Sequence, residues 1–257
     1  MLFLKDKYEE EDMNRVAFSV FGIDVMWYGI LIAIGMLLAV ALATREAKRV
    51  GYKEDDIIDL ALFVIPLGVI GARIYYVIFS WDNYSGSIAA MFNIRGGGLA
   101  IHGGIIAGII TGIVFSKVRK LNFFKLADIV ILGVPLAQAI GRWGNFINQE
   151  AYGGPTNLPW GILVEGQRVH PTFLYESIWD LLIFILIFTR RKEKKYEGYI
   201  LVQYLVLYSF GRFLIEGLRT DSLMFGPIRM AQLISLIGIA AGIVLHIVLL
   251  KRSKNGV

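Results

Sequence analysis

Seven apolar runs dominate this chain of 257 residues, and each is long enough to cross a bilayer. A hydrocarbon core of about 30 Å takes about 20 helical residues to cross. The runs are continuous rather than alternating, which favours helices over the strands of a membrane barrel. The sequence therefore predicts an all-α, polytopic membrane protein with spans near 26–43, 57–79, 98–116, 127–146, 171–189, 199–216 and 228–250.

The positions of lysine predict how these spans are oriented. Basic clusters follow the first, third, fifth and seventh runs, whereas the segments after the second, fourth and sixth runs contain no lysine. By the positive-inside rule, the N-terminus lies outside and the C-terminus in the cytoplasm. We predict a single integral-membrane domain, 1–257, in which 1–25 is an interfacial arm and 151–170 is an ordered loop on the outer face.

Composition excludes several kinds of chemistry. The chain has no cysteine, so disulfides, thiolate metal sites and an enzyme-bound thioester are all excluded. Its three histidines, His102, His170 and His246, are not clustered with acids, which argues against a protein-bound catalytic metal. The net charge of +5 comes from the basic clusters at the span ends, so it does not indicate a nucleic-acid partner.

A polar stretch at 141–153 ends the fourth run and carries Arg142, Asn145, Asn148 and Glu150. Such groups are costly at membrane depth and usually mark a function, although a buried network that only clamps helices together is the alternative. Arg142 has no acid four residues away in its own helix, so it reads as an uncompensated guanidinium. Because the planar fork matches phosphate oxygens, a phospholipid phosphate is the predicted ligand.

Other charged and glycine-rich positions leave alternatives open. Arg212 and Glu216 share a helix face at i, i+4 and could simply neutralise each other. The run from Gly96 to Gly98, followed by His102, could present backbone N–H groups to an anion at a helix start. A further set recurs every four residues and predicts close helix packing; its members are Gly104, Gly108 and Gly112. His246, in an apolar run, is interpreted as structural.

These residues resemble a known family. Residues 141–153 match, at every fixed position, the signature G-R-x-G-N-F-x-N-x-E-x-x-G of bacterial prolipoprotein diacylglyceryl transferases. The resemblance extends over nearly the whole chain, although Phe173 stands where many members carry glutamine. The other matching segments, in order, are Trp27-Tyr28-Gly29, Gly71-Ala72-Arg73, His102-Gly103-Gly104, His170 to Glu176, and Gly211-Arg212-Phe213 followed by Glu216.

The resemblance implies a function in lipoprotein biosynthesis at the outer face of the bacterial cell membrane. The family transfers the sn-1,2-diacylglyceryl group of phosphatidylglycerol to the lipobox cysteine thiol of a prolipoprotein and needs no cofactor. Its expected partners are phosphatidylglycerol, lipobox signal peptides and membrane lipids. Arg142 is the implied phosphatidylglycerol ligand, and the residues expected around it are Tyr28, Gly97, Gly98, His102, Gly104, Asn145, Asn148, Glu150, Gly153, Arg212 and Glu216.

The implied chemistry assigns three catalytic roles. Arg142 and Arg212 are expected to stabilise the departing phosphate, and His102 to accept the thiol proton, since a free imidazole titrates closer to neutral pH than a carboxyl group. A transporter of an anionic lipid or solute is the alternative, although no internal repeat is found. An intramembrane protease would need a motif that the chain lacks. The roles of Arg73 and Arg219 stay open.

Overall fold

The structure, a computed structural model, describes residues 14–94 and 97–255, with the backbone alone at position 225. The first half of the predicted interfacial arm and the first glycine of the run, Gly96, lie outside the described residues. Helices dominate the part of the chain that is described, and many are long and apolar enough to span a membrane. The predicted helical, polytopic membrane fold is confirmed.

Nine α-helices occur in the described residues. They are α1 (Trp27–Arg49), α2 (Glu54–Phe79), α3 (Ile88–Phe92), α4 (Ile101–Val118), α5 (Phe123–Ile131), α6 (Val134–Ile147), α7 (Thr172–Arg190), α8 (Tyr199–Glu216) and α9 (Met230–Lys254). Six of these, α1, α2, α4, α7, α8 and α9, qualify as spans, and α5 with α6 adds a seventh if the pair is one broken span. Four helices, α1, α4, α7 and α9, run past the predicted ends into the basic segments, since cations suit a helix C-terminus.

The fourth predicted span, 127–146, is wrong as a single helix. α5 ends at Ile131, and α6 begins after Gly133 with Pro135 in its first turn. Proline suits that place because the first N–H groups of a helix have no intrahelical acceptor. Gly133 also lies against the backbone of Ala39, where a Cβ would come within 2.6 Å of the Ala39 Cα. Proline placement and this close contact together explain a break that hydropathy alone does not show.

Three short antiparallel hairpins in the described residues were not predicted. They are β1 (Val16–Val20) with β2 (Ile23–Met26), β3 (Ile162–Val164) with β4 (Gln167–Val169), and β5 (Met224–Phe225) with β6 (Ile228–Arg229). The first two turn through Phe21-Gly22 and Glu165-Gly166, all four with positive φ. Such pairs form the two-residue turns whose twist matches the flanking strands. The β3–β4 hairpin lies within residues 151–170, and the prediction of an ordered loop on the outer face stays a prediction.

The chain divides into two compact units, the first comprising Met1–Ala39 and Ile131–Val257 and the second Val40–Val130. In the first unit, α7 packs between α6 and α8, and α8 also packs against α9. Buried aliphatic side chains hold this unit together: Leu132, Ile183, Ile187 and Ile200. Backbone hydrogen bonds from Gly153 to His170 and from Gly154 to Leu218, both 2.9 Å, join the end of α6, the start of α7 and the end of α8. The single-domain prediction stays a prediction.

In the second unit, α2 packs along α4. Its core consists of Ala43, Ala47, Ile57, Leu60, Phe115, Leu126 and Ile129. Outside this core, many aliphatic side chains are exposed, as at Leu62 on α2 (66%) and Ile106 on α4 (51%). Contiguous apolar surface of this kind is suited to contact with lipid rather than water.

Glycines set the closest approach between α2 and α4. A Cβ on Gly71 would come within 2.7 Å of the Gly103 carbonyl oxygen, and a Cβ on Gly103 would overlap the backbone of Gly71. The predicted glycine face is confirmed only in part, because Gly104 and Gly112 have ordinary neighbours while Gly108 faces open space. The tight contact therefore lies one residue before the four-residue repeat.

This contact predicts different effects for two matched substitutions on α4. Gly103→Ala should destabilise the protein by about 2 kcal/mol, because a methyl group added to a packed interface forces the backbones apart. Gly108→Ala should leave stability unchanged or slightly higher, since alanine favours the helix and meets no neighbour. Thermal unfolding of both variants in detergent, followed by circular dichroism, measures the difference. Equal midpoints would show that the two helices do not depend on this approach.

Candidate active site

Arg142 lies on α6 and reaches the two neighbouring helices. Its Nε lies 2.6 Å from Oε2 of Glu176 on α7, and its Nη2 makes a long hydrogen bond of 3.5 Å to the Tyr208 hydroxyl on α8. Only 20% of the side chain is exposed. The prediction that Arg142 lacks a compensating acid is wrong, because the acid comes from the next helix rather than from its own.

Glu176 is shared by two arginines. Its Oε1 forms an ion pair with Nη1 of Arg212, while Oε2 pairs with Arg142. Arg212 also binds Glu216 through Nη2, at 2.7 Å from Oε2, which is the i, i+4 pair predicted from the sequence. Glu176 is 5% exposed, and a buried charge without partners is strongly unfavourable. The three helices are therefore held in register by charges that neutralise one another.

Arg219, just beyond α8, completes this group. It binds Asp221 through two parallel hydrogen bonds of 2.9 and 2.8 Å, and its Nη1 lies 3.6 Å from Oε1 of Glu176. Burial tends to raise the pKa of Asp221, but the hydrogen bonds and charge of Arg219 outweigh it and hold the pKa below its usual value. Burial lowers the pKa of Arg219, but the hydrogen bonds and charge of Asp221, together with the nearby glutamates, outweigh burial and raise the pKa. We call Arg142, Glu176, Arg212, Glu216, Arg219 and Asp221 the arginine cluster.

A small cavity, with room for about one water molecule, lies against the arginine cluster. It is lined by Arg142, Glu176, Trp179, Asp180, Tyr208, Arg212 and Ile215. Asp180 is 2% exposed, and its Oδ2 has no hydrogen-bond partner among the described residues. Sequence reasoning missed Asp180 and Tyr208 and assigned no role to Glu176. The available signal was the pair of acids at i, i+4 in an otherwise apolar span.

The turn after α6 arranges the second half of the polar stretch. Oε1 of Glu150 accepts hydrogen bonds from the side-chain amides of Asn145 at 2.9 Å and Asn148 at 3.3 Å. Gln149 and Ala151 have positive φ values of 52° and 59°, so the chain reverses sharply on both sides of Glu150. The two asparagines thus fix the orientation of one carboxylate at the end of α6.

Two glycines of the same stretch permit close packing. A Cβ on Gly144 would overlap the ring of Tyr28, so this glycine admits the tyrosine beside α6. A Cβ on Gly153 would come within 2.7 Å of His170 Cβ, and Gly153 pairs with Arg219 in an isolated β-bridge. Packing accounts for both glycines, and the predicted substrate contact of Gly153 stays a prediction.

The glycine run and His102 belong to the second unit. Arg73, whose role the sequence left open, donates to the carbonyl oxygens of Gly97 and Gly98, both at 2.9 Å, and also to the carbonyls of Ala90 and Met91 at 2.7 and 2.8 Å. A Cβ on Gly98 would meet the Arg73 guanidinium, which explains the glycine without an anion. The anion site stays a prediction.

His102 is exposed in the first turn of α4, with its ring 6.0 Å from that of Tyr75. His246 instead contacts the Tyr196 hydroxyl through Nδ1 at 2.5 Å, in keeping with a structural role. Of the predicted site residues, the structure brings together in the first unit Tyr28, Arg142, Asn145, Asn148, Glu150, Gly153, Arg212 and Glu216. Gly97, Gly98, His102 and Gly104 lie in the second.

Comparison with known proteins decides the family. The family model described as prolipoprotein diacylglyceryl transferase matches residues 15–248. The chain belongs to the prolipoprotein diacylglyceryl transferase family. Three relatives named phosphatidylglycerol–prolipoprotein diacylglyceryl transferase come from Clostridioides difficile, Finegoldia magna and Clostridium perfringens. They are 63, 53 and 50% identical over 245, 236 and 255 residues, which cover 95, 91 and 95% of this chain and 99, 95 and 97% of theirs.

The resemblance predicted from the signature is thereby confirmed. Of the signature residues, Arg142 belongs to the arginine cluster, and Asn145 and Glu150 lie in the same unit. Glu176 comes from outside the signature, so the cluster joins the signature helix to α7 and α8. The structure thus adds to the family motif an acid that orients its arginine.

The Arg219–Asp221 pair predicts how transferase stability depends on pH. Because the folded pKa of Asp221 is depressed, this carboxylate stabilises the protein above its unfolded pKa of about 3.9, and the contribution is lost as pH falls through the folded pKa. Asp221→Asn should therefore lower the unfolding midpoint at pH 7 and make little difference below about pH 3. The effect is modest because half of the Asp221 side chain is exposed.

Thermal unfolding in detergent between pH 3 and 7 tests this expectation, with Asp82→Asn in the exposed turn after α2 as the matched control. The control should change the midpoint little at any pH. A deficit for Asp221→Asn that persists unchanged at pH 3 would contradict the ionic origin of its stabilisation.

Proposed function

We propose that this protein transfers the sn-1,2-diacylglyceryl group of phosphatidylglycerol to the lipobox cysteine of prolipoproteins, releasing glycerol phosphate. The observation that carries the proposal is the pair of guanidinium groups, Arg142 and Arg212, held by one buried carboxylate beside a cavity. The names of relatives that are 50 to 63% identical over most of the chain support it.

The reaction makes a thioether, which determines what the protein must stabilise. Sulfur attacks the glycerol carbon that bears the phosphate ester; the carbon–sulfur bond forms as the carbon–oxygen bond breaks. The electron pair leaves with the phosphate oxygen, and the thiol proton passes to a protein group and then to water. The chain itself has no cysteine, so the reacting sulfur belongs to the substrate. Donors fixed where charge develops are commonly the largest catalytic contribution.

Each site residue receives a role in this proposal. Arg142 and Arg212 bind the phosphate and stabilise the charge that it gains, since guanidinium forks match phosphate oxygens. His102 accepts the thiol proton, an assignment that rests on the family motif and on the general suitability of imidazole as a base. The remaining residues orient the headgroup or shape the site; they are Tyr28, Gly97, Gly98, Gly104, Asn145, Asn148, Glu150, Gly153 and Glu216.

We further infer that the reaction takes place at the outer face of the bacterial cell membrane. In the first unit, the arginine cluster lies at the end of α6 and α8 and the start of α7, where the connecting segments contain no lysine. The opposite ends of α7 and α9 lead into residues 190–195 and 251–254, which are rich in lysine and arginine. The positive-inside rule puts those basic ends in the cytoplasm.

This orientation requires α5 and α6 to act together as one crossing. With seven crossings, reporters fused after Phe79, Phe146 or Arg219 should report the outside, and those after Lys120, Lys195 or Lys254 the cytoplasm. Paired alkaline phosphatase and green fluorescent protein fusions at each site measure this. A cytoplasmic signal at Phe146 would place the arginine cluster on the wrong face for lipoprotein substrates.

The activity itself is tested with purified protein, labelled phosphatidylglycerol and a lipobox peptide. Transfer of the label to the peptide, dependent on the peptide's cysteine, is the expected result; a cysteine-to-serine peptide is the control. The alternative, a transporter of an anionic lipid or solute, predicts instead uptake into sealed vesicles without any covalent product.

The two proposed catalytic effects should differ in size. A thiol of pKa about 8.5 is already a few per cent ionised at pH 7, so supplying the thiolate is worth about 2 kcal/mol, whereas a lost transition-state donor costs about 3 to 4 kcal/mol. Arg142→Ala and Arg142→Lys should therefore lose more single-turnover rate than His102→Asn. Lysine fails because it cannot contact both Glu176 and a phosphate through a planar fork.

The same assay between pH 6 and 9 separates the two roles. Raising the pH ionises the thiol directly, so His102→Asn should recover part of its rate near pH 9, while Arg142→Ala should not. Folding of each variant is checked by its thermal midpoint. A His102→Asn enzyme that is slower than Arg142→Ala and stays so at pH 9 would show that the histidine does more than accept the thiol proton.

A further inference from the structure

Asp180 is a buried carboxyl group that the proposed mechanism does not use. It lies on α7 one turn beyond Glu176, lines the same cavity as Arg142 and Arg212, and is 2% exposed. Its Oδ2 has no hydrogen-bond partner among the described residues. A buried polar atom left without a partner costs free energy, so its place beside a cavity points to a ligand that supplies a hydrogen-bond donor.

Within the lipid, the donor comes from the leaving part. Phosphate oxygens and ester carbonyls only accept hydrogen bonds, so a phosphatidylglycerol molecule offers donors only at the two hydroxyls of its terminal glycerol. The attacking thiol approaches the reacting carbon from the side opposite the phosphate, whereas Asp180 shares its cavity with the arginines assigned to that phosphate. This geometry favours a hydroxyl of the leaving glycerol phosphate over the thiol.

Spacing and volume agree with such a ligand. One helical turn separates Asp180 from Glu176, which places them about 6 Å apart along α7. A terminal glycerol extends from its phosphate by a similar length. The cavity beside Asp180 has room for about one water-sized group, which is the size of a single hydroxyl, so the rest of the terminal glycerol would lie outside it.

We propose that Asp180 binds a hydroxyl of the terminal glycerol and thereby selects phosphatidylglycerol among the lipids that carry the same phosphate. This inference rests on the proposed function, in which Arg142 and Arg212 hold the phosphate. The arginines bind what all phospholipids share, and Asp180 binds what distinguishes this one. A hydrogen bond to a carboxyl group gives selectivity because a lipid without the hydroxyl leaves the buried oxygen unpaired.

The experiment compares phosphatidylglycerol with phosphatidyl-1-propanol, which has the same three carbons in its headgroup and no hydroxyl. The ratio of kcat/KM for the two lipids, with one lipobox peptide, is measured for each enzyme in detergent. The unchanged protein should prefer phosphatidylglycerol by about 10-fold or more. Asp180→Ala should bring the ratio near one, and Asp180→Asn, which keeps an acceptor oxygen, should retain part of the preference.

Ser177→Ala on the same helix is the matched control, because the Ser177 hydroxyl donates to the Ala139 carbonyl at 2.8 Å and does not line the cavity. It should leave the ratio at the value of the unchanged protein. Because the ratio is taken within each enzyme, a lower content of folded protein cancels. If Asp180→Ala does not fold, the lipid preferences of the unchanged protein and of Asp180→Asn still test the role of Asp180.

Three results would overturn the role of Asp180. They are an unchanged protein with no preference between the two lipids, an Asp180 variant with an undiminished preference, and equal transfer from phosphatidylethanolamine, whose ammonium group could also pair with a carboxylate. Absence of any transfer from phosphatidylglycerol by the unchanged protein would instead overturn the proposed function, so the two failures are distinguishable.

Discussion

The shared carboxylate of Glu176 is the interaction on which the candidate site depends. Two guanidinium groups from α6 and α8 repel each other, and both are brought close only because this acid from α7 lies between them. Removing one partner from a buried ion pair costs about 3 to 5 kcal/mol, so each charge secures the positions of the others. Three carboxylates, Glu176, Glu216 and Asp221, balance the three arginines of the cluster. Under the proposed function, a phosphate that binds these arginines therefore competes with acids already in place.

Much of the fold could be predicted because its causes are local in the sequence. Apolar length predicts the spans, and basic residues mark the ends of α1, α4, α7 and α9. The break before α6 could not be predicted, since Pro135 is equally compatible with a kinked helix, and the contact of Gly133 with Ala39 is visible only in three dimensions. The tight glycine on α4 was misplaced by one residue for the same reason: spacing identifies small residues, but not which of them faces a neighbour.

In the candidate site too, local features could be predicted from the sequence, whereas contacts between helices could not. The signature on α6 was recognisable because its residues are close in sequence, and the structure arranges Asn145, Asn148 and Glu150 into one hydrogen-bonded turn. Glu176 and Tyr208 act on Arg142 from other helices, so spacing within α6 wrongly suggested an arginine without an acid. The role of His102 depends on chemistry with the substrate, which neither sequence spacing nor helix packing encodes.

Arg73 anchors the segment between α2 and α4 through the backbone of that segment alone. All four of its acceptors are backbone carbonyls, at Ala90, Met91, Gly97 and Gly98. Every residue type offers a carbonyl, so mutations at positions such as Ala90 and Met91 leave these anchors intact, whereas Arg73 itself has no substitute with the same fan of donors. The segment before α4 therefore keeps its attachment to α2 when its side chains change, provided that Arg73 stays in place. Gly97 and Gly98 are constrained as well, because both have positive φ, 85° and 76°, and Gly98 also leaves room for the guanidinium.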